Sequence, residues 1–232
     1  MRQLRPAAPR IRAGGRCRSY PVPPTRITVI GFGLLLAVAT SASPRGSEER
    51  LVDATTIVDD LLVELRYATS ENFLQRALYP KAARCLLRES AARKLGVAAR
   101  LLRQQGFRLR IYDCYRPLSV QWQIWKAFPR RGYVADPRQG SPHNRGAAVD
   151  LTLASEAGSE VEMPTDFDSF TPAARHGYRG GSAASRRHRE VLCKAMEAAG
   201  FKKNRLEWWH YQLPDQERFS LIDDPVERLS RQ

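Results

Sequence analysis

The first forty-two residues of this 232-residue chain contain no acidic side chain. Seven arginines stand there (Arg2, Arg5, Arg10, Arg12, Arg16, Arg18 and Arg26), so this segment carries half of the formal net charge of +14. The remaining excess is spread as Arg over helical faces, with no single basic block, no zinc-finger spacing and no aromatic-basic sheet signature. Those absences argue against nucleic acid as a partner, and a basic surface facing an anionic cell envelope accounts for the charge. A long apolar run is missing too: the uncharged stretch Ile27 to Ala39 has thirteen residues, whereas a bilayer-spanning helix needs about 20. No cysteine follows the small residues Ala37-Val38-Ala39 and Thr40-Ser41-Ala42, which argues against a lipoprotein anchor.

What is present in that segment is the order basic, apolar, small. This is the n-region, h-region and cleavage site of a secretory signal peptide, here with an unusually long n-region. Residues 1–42 are therefore expected to be a signal peptide and the protein to be exported, periplasmic or secreted, with no stable membrane span after cleavage. The alternative is an uncleaved anchor. Of four cysteines, Cys17 would leave with the signal, and Cys85, Cys114 and Cys193 would remain. Cys85 and Cys114 fall at the start of a helix and the end of the following strand, an arrangement that can bring them together as a disulfide in an oxidising compartment. The alternative is three buried thiols.

Hydrophobic content of 43% and aromatic content of 9% fit a folded globular chain, and the length suits one well-cored domain. Residues 43–53 read as a linker and 54–232 as the domain. The stretch Leu61 to Tyr67 alternates from Val63 onward and predicts a strand. From Ala82 to Gln105, apolar residues recur at three- and four-residue steps (Leu86, Leu87, Ala91, Leu95, Ala98, Leu101, Leu102), which predicts an amphipathic helix ended by Gly106. Phe107 to Asp113 alternates apolar with basic and predicts a half-buried strand. A helix over Leu118 to Phe128, a buried strand over Ala147 to Leu153, a helix over Ala183 to Ala199 and a strand over Leu206 to Leu213 follow. The last nineteen residues read as a polar tail. With no internal repeat, the expectation is a single α+β domain in which helices pack on a small, mostly antiparallel sheet.

The chemistry gathers around Ser141-Pro142-His143-Asn144-Arg145-Gly146 and the apolar run after it. Asp150 lies inside that run, and a buried carboxylate needs an Arg, a hydrogen-bonded His or a metal as partner. His210, in Glu207-Trp208-Trp209-His210, supplies a second imidazole. His143, Asp150 and His210 together form a three-ligand N/O set with a position to spare, the composition of a catalytic zinc site, and two imidazoles suit zinc better than magnesium or calcium. Glu207 is then the candidate general base. Strict strand alternation would turn Glu207 and His210 to opposite faces, so either a bulge intervenes or Glu207 sits in the turn before the strand. Arg116, in the turn after a strand, is the candidate stabiliser of an oxyanion. His176 and His188 read as structural.

Five blocks in this order resemble the zinc-dependent D-alanyl-D-alanine dipeptidases of the VanX type, peptidase family M15. They are Tyr67-Ala68-Thr69-Ser70-Glu71-Asn72-Phe73, Asp113-Cys114-Tyr115-Arg116-Pro117, Ser141 to Leu153, Phe167-Asp168, and Glu207-Trp208-Trp209-His210-Tyr211. Met163-Pro164 stands where family members often carry Met-Gly, and the loop 169–182 shares little with them. The resemblance implies one Zn2+ held by His143, Asp150 and His210, with Glu207 as catalytic acid/base and Arg116 as stabiliser of the tetrahedral intermediate. It further implies that Tyr67, Asp113 and Asp168 hold the ammonium of a small D-configured dipeptide and Ser141 its carboxylate. The expected activity is hydrolysis of D-Ala-D-Ala in envelope peptidoglycan metabolism. One alternative is a zinc D,D-carboxypeptidase acting on stem peptides; another, of a different class, is a non-catalytic zinc-stabilised wall-binding module.

Overall fold

The computed structural model describes residues 49–226; the signal peptide expected over residues 1–42 lies outside them. Among the described residues, three α-helices and two sheets make up the fold. Strands β1 (Leu51–Asp53) and β3 (Leu86–Arg88) form an antiparallel pair. The main sheet contains β2 (Leu62–Val63), β4 (Phe107–Asp113), β5 (Ala148–Ser155), β6 (Lys202–Lys203) and β7 (His210–Gln212), in the order β2-β4-β5-β7-β6. Only β2 and β4 run parallel; the other pairings are antiparallel. Helices α1 (Glu89–Arg103) and α3 (Ala183–Ala198) pack on each other and against β4 and β5. The shorter α2 (Leu118–Ala127) follows the turn after β4. The α+β class and the mostly antiparallel sheet are as expected.

Periodicity explains most of these elements. In α1 the buried positions Ala91, Ala92, Leu95, Ala98, Ala99 and Leu102 recur at helical spacing and form one apolar stripe. Gly106, at φ +78, ends the segment in a left-handed conformation that favours glycine. Strand β5 is buried along seven of its eight residues: Val149, Leu151 and Leu153 join Leu95, Leu102, Leu109, Ile111, Leu192 and Met196 in the main core, while Asp150 and Thr152 alternate with them.

Several boundaries differ from the sequence expectation: the final strand, expected over Leu206 to Leu213, is His210–Gln212 alone, because only these three residues pair with β5. The helix predicted from Ala82 begins only at Glu89, because Leu86–Arg88 is drawn into an extended pair with Leu51–Asp53. That pairing also takes the end of the segment expected to be a linker into the fold. The strand expected over 61–67 shrinks to Leu62–Val63 and gives way to a 3-10 turn at Arg66–Ala68. The polar tail is no tail as far as residue 226: Phe219 and Val226 are buried, Leu118 N donates to Ile222 O and Ile222 N to Asn144 O. Such pairings join residues far apart in the chain, and local periodicity carries no record of them.

Cys85 and Cys114 are joined by a disulfide across 29 residues of sequence, with Cα atoms 5.2 Å apart. Cys193 is a buried free thiol. A crosslink closing a loop of that length restrains the unfolded chain by roughly 3–4 kcal/mol. A Cys85→Ala/Cys114→Ala variant is expected to lose about 3 kcal/mol in equilibrium urea unfolding; an unchanged midpoint would show that the link contributes no restraint.

Candidate metal centre

The sheet register sets the site. Across three neighbouring strands, Asp113 of β4 pairs with Asp150 of β5, and Asp150 with His210 of β7. A register shift between Ile111 and Asp113 acts as a bulge that re-aims the end of β4. His143 enters from above this row, on a 3-10 turn (His143–Arg145) closed by Gly146 at φ +67. A Cβ at Gly146 would come within 2.4 Å of Leu51 Cδ2, and the Gly146 carbonyl accepts from Arg88 N. The left-handed backbone angle favours glycine there, whereas the Leu51 methyl is the end of a flexible side chain that could move aside.

Three atoms converge. His210 Nδ1 lies 3.0 Å from Asp150 Oδ1 and 3.1 Å from His143 Nε2, which is 3.3 Å from the same carboxylate oxygen. The other ring nitrogens decide what these atoms are. His143 Nδ1 stands 2.7 Å from the Cys114 carbonyl and must donate to it, since a carbonyl only accepts. His210 Nε2 stands 3.2 Å from Gln212 Oε1 and donates there. In neutral imidazoles both inward nitrogens are therefore lone pairs. Two nitrogen lone pairs and a carboxylate oxygen facing one point, all three residues buried, repel one another unless a cation sits between them. Donors about 2.0–2.2 Å from a tetrahedral centre stand roughly 3.3–3.6 Å apart, close to the spacing here. The residues present fit a divalent ion of zinc type.

Around this point lies a cavity of about 210 Å³, lined among others by Tyr67, Arg116, Ser141, Asp168, Asn204 and Glu207. Glu207 occupies the turn between β6 and β7, which answers the question that strand alternation raises. Asn204 Nδ2 donates to its Oε2 at 2.7 Å, and the side chain is 6% exposed. Burial, with the nearby charges of Asp150 and Asp168, pushes its carboxyl up to about 8. Withdrawal from water and the Asp150 charge likewise raise Asp168 to about 8; this residue takes φ +59 and accepts from Tyr67 OH at 3.1 Å. Ser141 is buried and its Oγ accepts from His143 N at 3.2 Å.

Asp113 departs from the expectation that it meets substrate. It is fully buried and does not line the cavity. Its Oδ2 accepts from Arg116 Nε and Nη2 at 3.0 and 2.6 Å, and its Oδ1 from Tyr79 OH and Cys114 N at 2.8 and 2.9 Å. This carboxylate anchors Arg116 and has no oxygen left for an ammonium. Two further residues hold the site without having stood out in the sequence. Asn144, fully buried, donates to Arg116 O at 2.8 Å and accepts from Ser141 N at 2.7 Å, while Gln212 sets the His210 tautomer. Asn144 lies inside the Ser141–Gly146 turn, but only folding shows which groups it ties together.

A buried His/Asp/His cluster beside a buried carboxylate and a guanidinium defines a metal-dependent hydrolase. The chain belongs to peptidase family M15, a metallopeptidase family: the family described as D-ala-D-ala dipeptidase matches residues 47–230. Its relatives include a D-alanyl-D-alanine dipeptidase of Escherichia coli K12, 37% identical over 174 residues, covering 75% of this chain and 90% of the relative. Another, of Enterococcus faecalis, is 32% identical over 184 residues (66% and 86%), and one of Streptomyces coelicolor is 31% identical over 186 residues (68% and 91%).

Metal content tests the cluster directly. The purified protein is expected to carry one divalent ion per chain, to lose it in His143→Ala and His210→Ala, and to bind it 10–100-fold more weakly in Gln212→Leu, measured by elemental analysis and chelator competition. Retention of full metal content by both histidine variants would place the ion elsewhere.

Proposed function

We propose that this protein is a zinc dipeptidase that hydrolyses D-Ala-D-Ala or a similar D-configured dipeptide, acting in peptidoglycan metabolism. The observation that carries the reading is the convergence of His143 Nε2, Asp150 Oδ1 and His210 Nδ1, with Glu207 and Arg116, on one cavity of about 210 Å³, below the roughly 300–1,000 Å³ of drug-sized ligand pockets. A space of that size suits a dipeptide better than a peptidoglycan stem. The donor set of two imidazoles and one carboxylate favours zinc. Held by these three residues, zinc would supply Lewis acidity for activating a water near neutral pH.

The chain's own groups divide the remaining work. Glu207, held by Asn204, takes the proton of the attacking water and passes it to the leaving amine. Arg116 presents its cavity-facing N–H groups to the charge that develops on the carbonyl oxygen. Asp168 and Tyr67 meet the ammonium of the substrate, and the Ser141 hydroxyl meets its carboxylate. Reading both charged ends of a dipeptide discriminates against longer chains, since a charged group left unpaired in a closed pocket costs several kcal/mol.

Export is part of the proposal. It is supported by the signal-like order of residues 1–42 and by the Cys85–Cys114 disulfide, a bond that persists in oxidising compartments. Among the described residues no helix is long and apolar enough to cross a membrane.

A panel of dipeptides and muropeptides varying in length and stereochemistry, with released amino acids quantified, tests the substrate. D-Ala-D-Ala is expected to be cleaved and N-extended peptides to be left intact; the reverse pattern would favour a D,D-carboxypeptidase. Glu207→Ala is expected to lower kcat by about 10²–10⁴ with zinc retained, and undiminished turnover would remove it from proton transfer. N-terminal sequencing of protein expressed from the full chain is expected to show cleavage near residue 42, whereas an intact N-terminus on an exported protein would indicate an anchor.

A further inference from the structure

Arg116 is gripped from one side by a single atom. Both of its bonds to Asp113, from Nε and Nη2, end on the same oxygen, Oδ2. A fork that closes on two carboxylate oxygens fixes the guanidinium plane, but two bonds to one oxygen leave it free to pivot about that point. The Tyr67 ring, 4.9 Å from the guanidinium carbon, limits movement out of the plane and tolerates rotation within it. Asp150 Oδ2 stands 3.9 Å from Nη2, too far for a hydrogen bond, so what sets the direction of the remaining N–H groups is a contact on the Nη1 side.

Gln121 supplies that contact. It lies on α2, is fully buried and accepts from Arg116 Nη1 through Oε1 at 2.9 Å. Its Nε2 donates to Ala135 O at 2.8 Å. Arginine only donates and a carbonyl only accepts, so the two partners fix the amide in one orientation. With Gln121 in place, three of the five guanidinium N–H groups are engaged, which leaves one on each terminal nitrogen. The other end of the amide holds Ala135, which lines the cavity together with Tyr133 and Val134. Arg116 and the wall 133–135 are thus registered to one another through a single side chain.

We propose that Gln121 is a positioning residue for this reaction: its carbonyl end aims Arg116 at the developing charge, and its amide end sets the pocket wall against the substrate. This rests on the role given to Arg116 above. The two ends of the amide have separable consequences. Loss of the carbonyl end misaims the guanidinium and lowers kcat; loss of the amide end loosens the wall and raises KM.

The test uses zinc-loaded enzyme and D-Ala-D-Ala. Gln121→Met, which keeps length and removes both bonds, is expected to lower kcat by about 10–100-fold, since small misplacements of an oriented group cost that much, and to raise KM as well. Gln121→Glu keeps the acceptor and loses the donor, so it is expected to restore most of kcat while KM stays raised. Zinc content should be unchanged in both. In an Arg116→Ala background, itself reduced by about 10²–10³, adding Gln121→Met should leave kcat unchanged, because the two act through one group.

Equal kcat losses for Met and Glu, or a kcat loss from Gln121→Met that persists without Arg116, would overturn the proposal and reduce Gln121 to a packing residue. Full kcat in Gln121→Met alongside a crippled Arg116→Ala would overturn it while leaving the role of Arg116 standing. Full activity of Arg116→Ala would remove both. If Gln121→Met does not fold, Gln121→Glu in the two backgrounds decides: a kcat within several-fold of the parent with a raised KM supports the proposal, and either parent-like kcat and KM together or a collapse of kcat to the Arg116→Ala level overturns it.

Discussion

Four carboxylates and one guanidinium share the buried end of the sheet. Asp113, Asp150 and Glu207 are almost wholly withdrawn from water, Asp168 faces the cavity, and among the described residues Arg116 is the one lysine or arginine lining it. Isolated charges in such surroundings are costly, so the excess must be relieved by protons or by an ion. Without an ion, Glu207 and Asp168 take protons, held up to about 8 by burial and by their negative neighbours. A dication between His143, Asp150 and His210 relieves the same excess, and the histidine tautomers are set in advance to receive it. The rest of the structure is arranged to keep this imbalance in place.

That arrangement depends on parts with no chemistry of their own. The row Asp113–Asp150–His210 exists because β4, β5 and β7 are hydrogen-bonded in one register. The backbone of Cys114, locked by the disulfide to Cys85, does two jobs: its carbonyl orients His143 and its N–H donates to Asp113. Asn144 ties the metal-ligand turn to the Arg116 turn and, through its carbonyl, to Ile222. Ile222, in the segment after β7, is thereby part of the support of the site.

The division of labour among the carboxylates follows from their partners, not from their order in the chain. Asp113 and Asp168 both stand near Arg116 and Tyr67, yet Asp113 has both oxygens filled by Tyr79, Cys114 and Arg116, whereas Asp168 has one recorded donor, Tyr67, and opens on the cavity. A carboxylate with its acceptor sites filled is a scaffold; one with sites left over can meet a ligand.

Periodicity and residue type alone were enough to read helix α3, strands β4 and β5, the α+β class and the group His143, Asp150 and His210, which could hold a metal ion. Those features are local, or they follow from the rule that a buried carboxylate among apolar residues needs a partner. The short strands β1 and β3, the late start of α1 and the anchored segment up to residue 226 could not be read that way, because each is stabilised by a pairing with residues far off in sequence; β6, two residues long, is too short to show a period. The same holds at the site. Residue type makes Glu207 a candidate base and Arg116 a candidate oxyanion partner, but only the folded chain put Glu207 in a turn, withdrew Asp113 from the cavity, and set Gln121, Asn144 and Gln212 behind the groups that line it. Local sequence records which side chains can carry charge; which of those charges face the cavity is decided by long-range hydrogen bonds that form only when the sheet closes.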